Sequence, residues 1–193
     1  MTPIINTQPF DADESELVER AKRDPSAFGA LYDRYVDCIY GYALRETGHA
    51  AAAQDVTSAT FERALRHIGR FRPGANGIAP WLYRIARNEI IQQYRRDKRL
   101  RPLDGDRVAA GEKPGQARRP IELAVMSGER ERDLYTALTQ LSAADRDVLT
   151  LRFLEQLPTE SVAQILECSR DNVYVRLHRA LGRLRGLLAS EEK

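Results

Sequence analysis

One tryptophan, two cysteines, two methionines and three histidines among 193 residues leave little room for several kinds of chemistry. Cys38 and Cys168 are too few and too far apart for a disulfide framework or a thiolate zinc site. Cys38 falls among apolar positions of a helical pattern and reads as a small buried hydrophobe. His49, His67 and His178 show neither an H-x-x-x-H nor an H-E-x-x-H spacing, so no metal site is expected. No stretch approaches the ~18 uninterrupted apolar residues of a spanning helix, and no membrane insertion is expected. The first ten residues lack a basic start and acids follow at once, unlike a secretory signal, so the expected location is cytoplasmic. Walker loops, G-x-S-x-G and G-x-G-x-x-G are also missing. No residue stands out as a nucleophile or general base. The chain reads as a non-enzyme that needs no cofactor.

Charge is present in quantity, with 30% Asp, Glu, Lys and Arg, but the formal net charge is only +2. Its distribution is what matters. Residues 11–24 hold six acids against three bases, whereas residues 66–101 hold ten bases against two acids. Residues 170–185 hold five arginines against Asp171 alone. Local fields of this kind steer polyanions to a surface, so two separate basic patches point to nucleic acid.

The apolar residues recur at helical spacing throughout, and the expected fold class is all-α, with two small helical domains joined by a flexible linker. Asp24-Pro25 opens a helix whose inner face is Phe28, Leu31, Tyr32, Tyr35, Ile39, Tyr42 and Ala43, and Gly48 stops it. A second helix at about 50–68 turns Val56, Thr60, Phe61, Ala64, Leu65 and Ile68 inward. Residues 70–79 break the period with Pro, Gly and Asn. Pro80 then starts a helix expected to bury Trp81, Leu82, Ile85 and Ala86 and to expose Arg84, Arg87 and Asn88. A shorter helix from about Glu14 completes this first domain, expected over 14–101 after a disordered 1–13.

Residues 102–125, rich in Pro and Gly, read as the linker. In the second domain, over 126–190, Leu134, Ala137, Leu138 and Leu141 mark one helix. Ser142-Ala143-Ala144-Asp145 resembles a capping box for the next, which carries Val148, Leu149, Leu151 and Phe153. A helix at about 158–166 buries Val162, Ala163, Ile165 and Leu166. After Glu167-Cys168, Ser169 caps a last helix with Val173, Leu177, Leu181 and Leu184 inside.

Those last two helices form a helix–turn–helix pattern, in which the second helix enters the major groove. Ser169, Arg170, Asn172, Tyr174, Arg176 and Arg179 stand at its start or on its polar side, where Arg can bind guanine bidentately and Asn can bind adenine. The basic segment of the first domain sets rings beside cations: Phe71, Arg72, Trp81, Arg84, Arg87, Asn88, Arg95 and Arg96. That combination suits exposed bases, which stack on rings while arginines hold phosphates. Trp81 reads equally as core packing.

These motifs resemble the extracytoplasmic-function group of bacterial sigma factors, in the sigma-70 family. The resemblance is carried by Phe28-x-x-Leu31-Tyr32, Asp55-Val56 with Thr60-Phe61, Arg70-Phe71-Arg72-Pro73-Gly74, and Trp81-Leu82-Tyr83-Arg84-Ile85-Ala86-Arg87-Asn88. In the second half it is carried by Leu141-Ser142, Val162-Ala163 and Val173 with Arg176-Leu177-His178-Arg179-Ala180. It implies a promoter factor. The first domain would bind the β′ clamp helices of core RNA polymerase through Asp55, Val56, Ser58 and Thr60, and would open the −10 element. The second would bind the −35 element. The polymerase β subunit and an anti-sigma factor are further implied partners. The chain departs from the family at Ser58-Ala59, Ile78-Ala79-Pro80, Glu167 and Tyr174-Val175, so no promoter sequence is carried over. A helix–turn–helix regulator acting apart from polymerase is the alternative, and a sensor domain would not need the basic run after Asn88.

Overall fold

The computed structural model describes residues 12–100 and 129–191, so the expected linker over 102–125 and most of the expected tail over 1–13 lie outside it. Every element among the described residues is helical. The first domain comprises α1 (Ala12–Arg23), α2 (Phe28–Thr47), α3 (Ala50–His67) and α4 (Ala79–Leu100). The first of these begins two residues inside the stretch expected to be disordered. Asp24 does cap, but what it caps is a short 3-10 turn, Pro25–Ala27: its carboxylate accepts from the Ser26 amide at 2.9 Å, and α2 follows. Gly48 ends α2 at φ 78°, a left-handed value that a side chain would oppose.

Aromatic edges lock the bundle. Tyr42 on α2 and Tyr83 on α4 meet edge to face at 5.3 Å, and Phe28 meets Phe61 of α3 at 6.4 Å. Glu14 on α1 accepts a 2.8 Å hydrogen bond from the Ile78 amide, which anchors the loop that leads into α4. Buried Glu89 pairs with Arg63 at 2.9 Å and ties α4 to α3. Cys38 is buried, and burial pushes its thiol up, as befits a core residue.

The second domain comprises α5 (Glu129–Gln140), α6 (Ala143–Leu149), α7 (Thr159–Ile165) and α8 (Arg170–Glu191). Ser142 Oγ accepts from the Asp145 amide at 3.2 Å and donates to its carboxylate at 2.7 Å, a reciprocal cap at the start of α6. Ser169 Oγ likewise accepts from the Asn172 amide at 3.2 Å and opens α8. Between α6 and α7 the chain does not continue as α-helix. A π-helical turn, Thr150–Leu154, closes with the Glu155 amide on the Thr150 carbonyl at 2.9 Å. The wider turn rotates the residues after it out of α-helical phase. Phe153, expected inside, therefore points outward at 50% exposure, and Glu155 turns inward at 4%.

Other apolar stripes are narrower than their spacing implies. Tyr32, Leu65, Leu134 and Leu181 lie at the edges of their faces and stay substantially exposed. The largest departure concerns the domains themselves. They pack against each other, and one continuous apolar core runs from Val18 through Tyr83 to Val173 and Ala180.

Candidate nucleic-acid interface

Helix α4 organises the first candidate surface. Positions 84, 88 and 95 fall on one line of an α-helix, and Arg84, Asn88 and Arg95 are all exposed there, with Arg96 beside them. At its start, Phe71 and Trp81 form a tilted ring pair at 4.9 Å, half-buried, beside a loop whose Arg72 is exposed. Trp81 was expected inside; it is packed on one face only. Gly77 holds the loop with φ 67° and donates to the Gly74 carbonyl at 3.2 Å. The result is a ring platform next to a row of cations and one amide.

The second candidate surface is the start of α8. Arg170, Asn172, Tyr174 and Arg179 are exposed, and Ser169, also exposed, has its hydroxyl engaged in the cap. Arg176 is half-buried, which narrows the readable set. The turn before it contains Glu167 at φ 52°, a left-handed conformation at which glycine would be free of strain. Ala163 on α7 is buried where the two helices meet, and its carbonyl accepts from Cys168 at 3.0 Å.

The expected polymerase-docking set divides. Asp55 and Ser58 are exposed on α3. Val56 and Thr60 are not on a docking face: both are buried, and Thr60 donates to the Val56 carbonyl at 2.7 Å. Their helical phase places them in the seam against the other helices, where they serve packing.

Arg87 also departs from expectation. Its Nε lies 2.9 Å from Asp147 of α6, across the domain boundary, and its side chain is only 27% exposed. Burial works against its charge, but Asp147 more than offsets this and holds the guanidinium above its ordinary value. Further groups cross the same boundary. Glu155 receives the Tyr83 hydroxyl at 2.7 Å and Arg45 Nε at 2.9 Å. Arg146 reaches Glu46 at 3.4 Å, and Arg84 reaches Glu167 at 3.4 Å. Beside them lies a cavity of about 640 Å³, lined in part by Tyr42, Glu46, Ile90, Tyr94 and Asp147. Burial, then the charge of Asp147, push the Glu46 carboxyl up to about 7 against the pull of Arg146.

Glu46, Tyr83, Asp147 and Glu155 were not legible as functional residues, because their partners lie 60 to 110 positions away. One signal was available. Glu46 follows Tyr42 by one helical turn, so a carboxylate stands on an apolar stripe.

Comparison with known proteins matches these two surfaces to two recognised modules. Residues 31–100 match the model described as Sigma-70 region 2, and residues 131–184 match that described as Sigma-70, region 4. The ECF RNA polymerase sigma factor BldN of Streptomyces coelicolor is 33% identical over 180 residues, covering 92% of this chain and 67% of the relative. The RNA polymerase sigma-H factor of Pseudomonas aeruginosa is 33% identical, with 86% and 89% covered. The ECF RNA polymerase sigma factor SigW of Bacillus subtilis is 30% identical, with 85% and 90% covered. Among solved structures, CnrH in complex with the cytosolic domain of CnrY superposes with a TM-score of 0.65 at 26% identity, over 93% of this chain and 99% of that one. The sigma factor RpoE in complex with the anti-sigma factor NepR from Bartonella quintana superposes at 0.63, over 84% and 96%. At 24% identity that likeness concerns the fold alone.

Proposed function

The chain belongs to the extracytoplasmic-function group of the sigma-70 family of RNA polymerase sigma factors, and from that premise we propose how its two domains divide the reading of a promoter. The start of α8 sits in the major groove of the −35 element, with Arg170, Asn172, Tyr174 and Arg179 toward base edges or phosphates and Arg176 steadying the helix from its half-buried position. Helix α4 and its loop take the −10 element. Arg84, Arg87, Arg95 and Arg96 hold phosphates, and Asn88 with the Phe71–Trp81 platform receives a base drawn out of the duplex. Extrusion costs a few kcal/mol, so a surface that captures the extruded base pulls strand opening forward. The single observation that carries this reading is the line Arg84–Asn88–Arg95 running from the ring pair: charge, amide and stacking surface lie together on one helix face.

Asp55 and Ser58 on the exposed side of α3 contact the polymerase core. An anti-sigma factor is a further partner on this reading, which rests on membership of the sigma-factor family. No described helix is long and apolar enough to cross a membrane, and the chain acts in the cytoplasm as a specificity subunit with no covalent chemistry of its own. Purified protein added to sigma-free core polymerase with a promoter library tests this reading. Initiation from a defined promoter class is expected, and absence of both core binding and promoter opening would refute it.

A further inference from the structure

The contact between the domains uses the same arginines that the proposed −10 surface needs. Arg87 is held by Asp147 at 2.9 Å, and Arg84 is drawn more loosely toward Glu167 at 3.4 Å; a guanidinium engaged by a carboxylate is less free to hold a phosphate. Tyr83, next to Arg84 in sequence, is fastened to Glu155 on the inner side of α4. The packed arrangement and an occupied −10 surface therefore compete.

At the centre of the contact lie two carboxylates, of which Asp147 has Arg87 as a close partner and Glu46 is poorly compensated. Glu46 from α2 and Asp147 from α6 are buried, with side chains 3% and 12% exposed. Arg146 approaches Glu46 Oε2 only to 3.4 Å, longer than a charge-assisted hydrogen bond. Glu46 Oε1 is buried with no hydrogen-bond partner among the described residues, and the same holds for the neighbouring Tyr42 hydroxyl. Both residues line the cavity of about 640 Å³ between the domains. A second buried negative charge placed there is costly, whereas a neutral acid is not.

We propose that the second domain is a proton-sensitive clasp on the first: a proton taken up by the Glu46–Asp147 pair closes the chain and engages Arg87 with Asp147 and Arg84 with Glu167, and its release frees them for DNA. Every element around the pair contributes to the balance. Tyr42 lies on α2 itself; Arg87, Tyr94 and Arg95 come from α4; Arg146 and Asp147 come from α6; Thr150 comes from the π-helical turn; and Arg176 of α8 acts on Asp147. Burial raises the Glu46 carboxyl to about 7 and raises Asp147 too, with the arginines opposing. Separation of the domains returns Glu46 to water and to its ordinary range. The closed chain therefore holds a proton that the open chain releases, so closure is favoured by acid and weakens as pH rises through about 7. Between about pH 5.5 and about pH 8.5, the closed-to-open ratio falls on the order of thirty-fold.

Small-angle X-ray scattering of the full chain at fixed ionic strength tests the clasp without DNA. The radius of gyration is expected to grow from the acidic to the alkaline end. Glu46→Gln, which mimics the neutral acid, is expected to stay compact at both. Glu62→Gln, altered at a largely exposed position of α3 whose ion pair is with Arg66 on the same helix, is expected to keep the wild-type pH response. Circular dichroism establishes that each variant is folded. A wild-type radius that does not change with pH overturns the proposal, and so does a Glu46→Gln chain that still expands, because the response would then not depend on Glu46. The clasp rests on the −10 reading only for what it engages. If the chain opens at high pH while its affinity for single-stranded −10 DNA stays flat, the clasp stands and the assignment of Arg84 and Arg87 to that DNA fails.

Discussion

Tyr83 on α4 and Glu155 after the π-helical turn are joined by a 2.7 Å hydrogen bond from the phenol to the carboxylate, and both residues are buried. The bond links the helix that carries the −10 candidates to the domain that carries the −35 candidates. Burial, then the charge of Glu155, push the Tyr83 hydroxyl well above its ordinary value, so it remains a donor at any working pH. Tyr83→Phe removes that donor and leaves Glu155 Oε2 unpaired. The expected cost is about 1–3 kcal/mol, read as a lower denaturation midpoint; an unchanged midpoint would show that the bond contributes nothing.

Arg87→Ala and Arg84→Ala should differ sharply in stability. The first strands buried Asp147 and is expected to cost about 2–3 kcal/mol, somewhat less than a fully buried pair because Arg87 keeps 27% exposure. The second removes a pair whose members are 45% and 72% exposed, and at most about 0.5 kcal/mol is expected. Chemical denaturation of the two variants side by side makes the comparison, and equal losses would contradict it.

Ser142→Ala removes the side-chain cap of α6. A loss of about 1 kcal/mol is expected, visible in thermal unfolding with DNA binding at α8 retained.

Glu167→Gly replaces a residue held at φ 52° by one that adopts that conformation without strain. The expected outcome is a gain of about 0.5–1 kcal/mol, reduced by whatever the exposed Arg84 pair contributes. A loss of stability would place the value of Glu167 in its side chain.

Asn88→Ala should reduce promoter opening about tenfold and leave duplex binding nearly unchanged, since an exposed amide on α4 is proposed to meet an extruded base. Fluorescence of a base analogue at −10 reports opening, and a footprint reports binding. Equal losses in both would remove Asn88 from the melting surface.

The helices and their punctuation were legible because the residues that decide them are neighbours in sequence: Gly48 at the end of α2, Ser142 with Asp145, and Ser169 before α8. The candidate DNA residues were legible for the same reason, as exposed positions along single helices. What escaped was set at a distance or by phase. Val56 and Thr60 turn inward by helical phase and count as docking residues only through the family motif, and their burial follows the phase. Phe153 reads as core until the π-helical turn shifts it outward. The pairing of Arg87 with Asp147 joins positions 60 apart, and no local pattern encodes it.

The π-helical turn at Thr150–Leu154 has a consequence for how this protein tolerates change in length. One residue of helix is about a 100° rotation, so the turn works as a phase shifter between the α6 core and Glu155. Deleting a single residue there would restore ordinary winding and leave Glu155 near its present direction, because the fifth residue of a π turn takes the place of the fourth in an α turn. A one-codon deletion would thus be tolerated better at this turn than within α6 or α8, where it would rotate every later residue off its buried stripe.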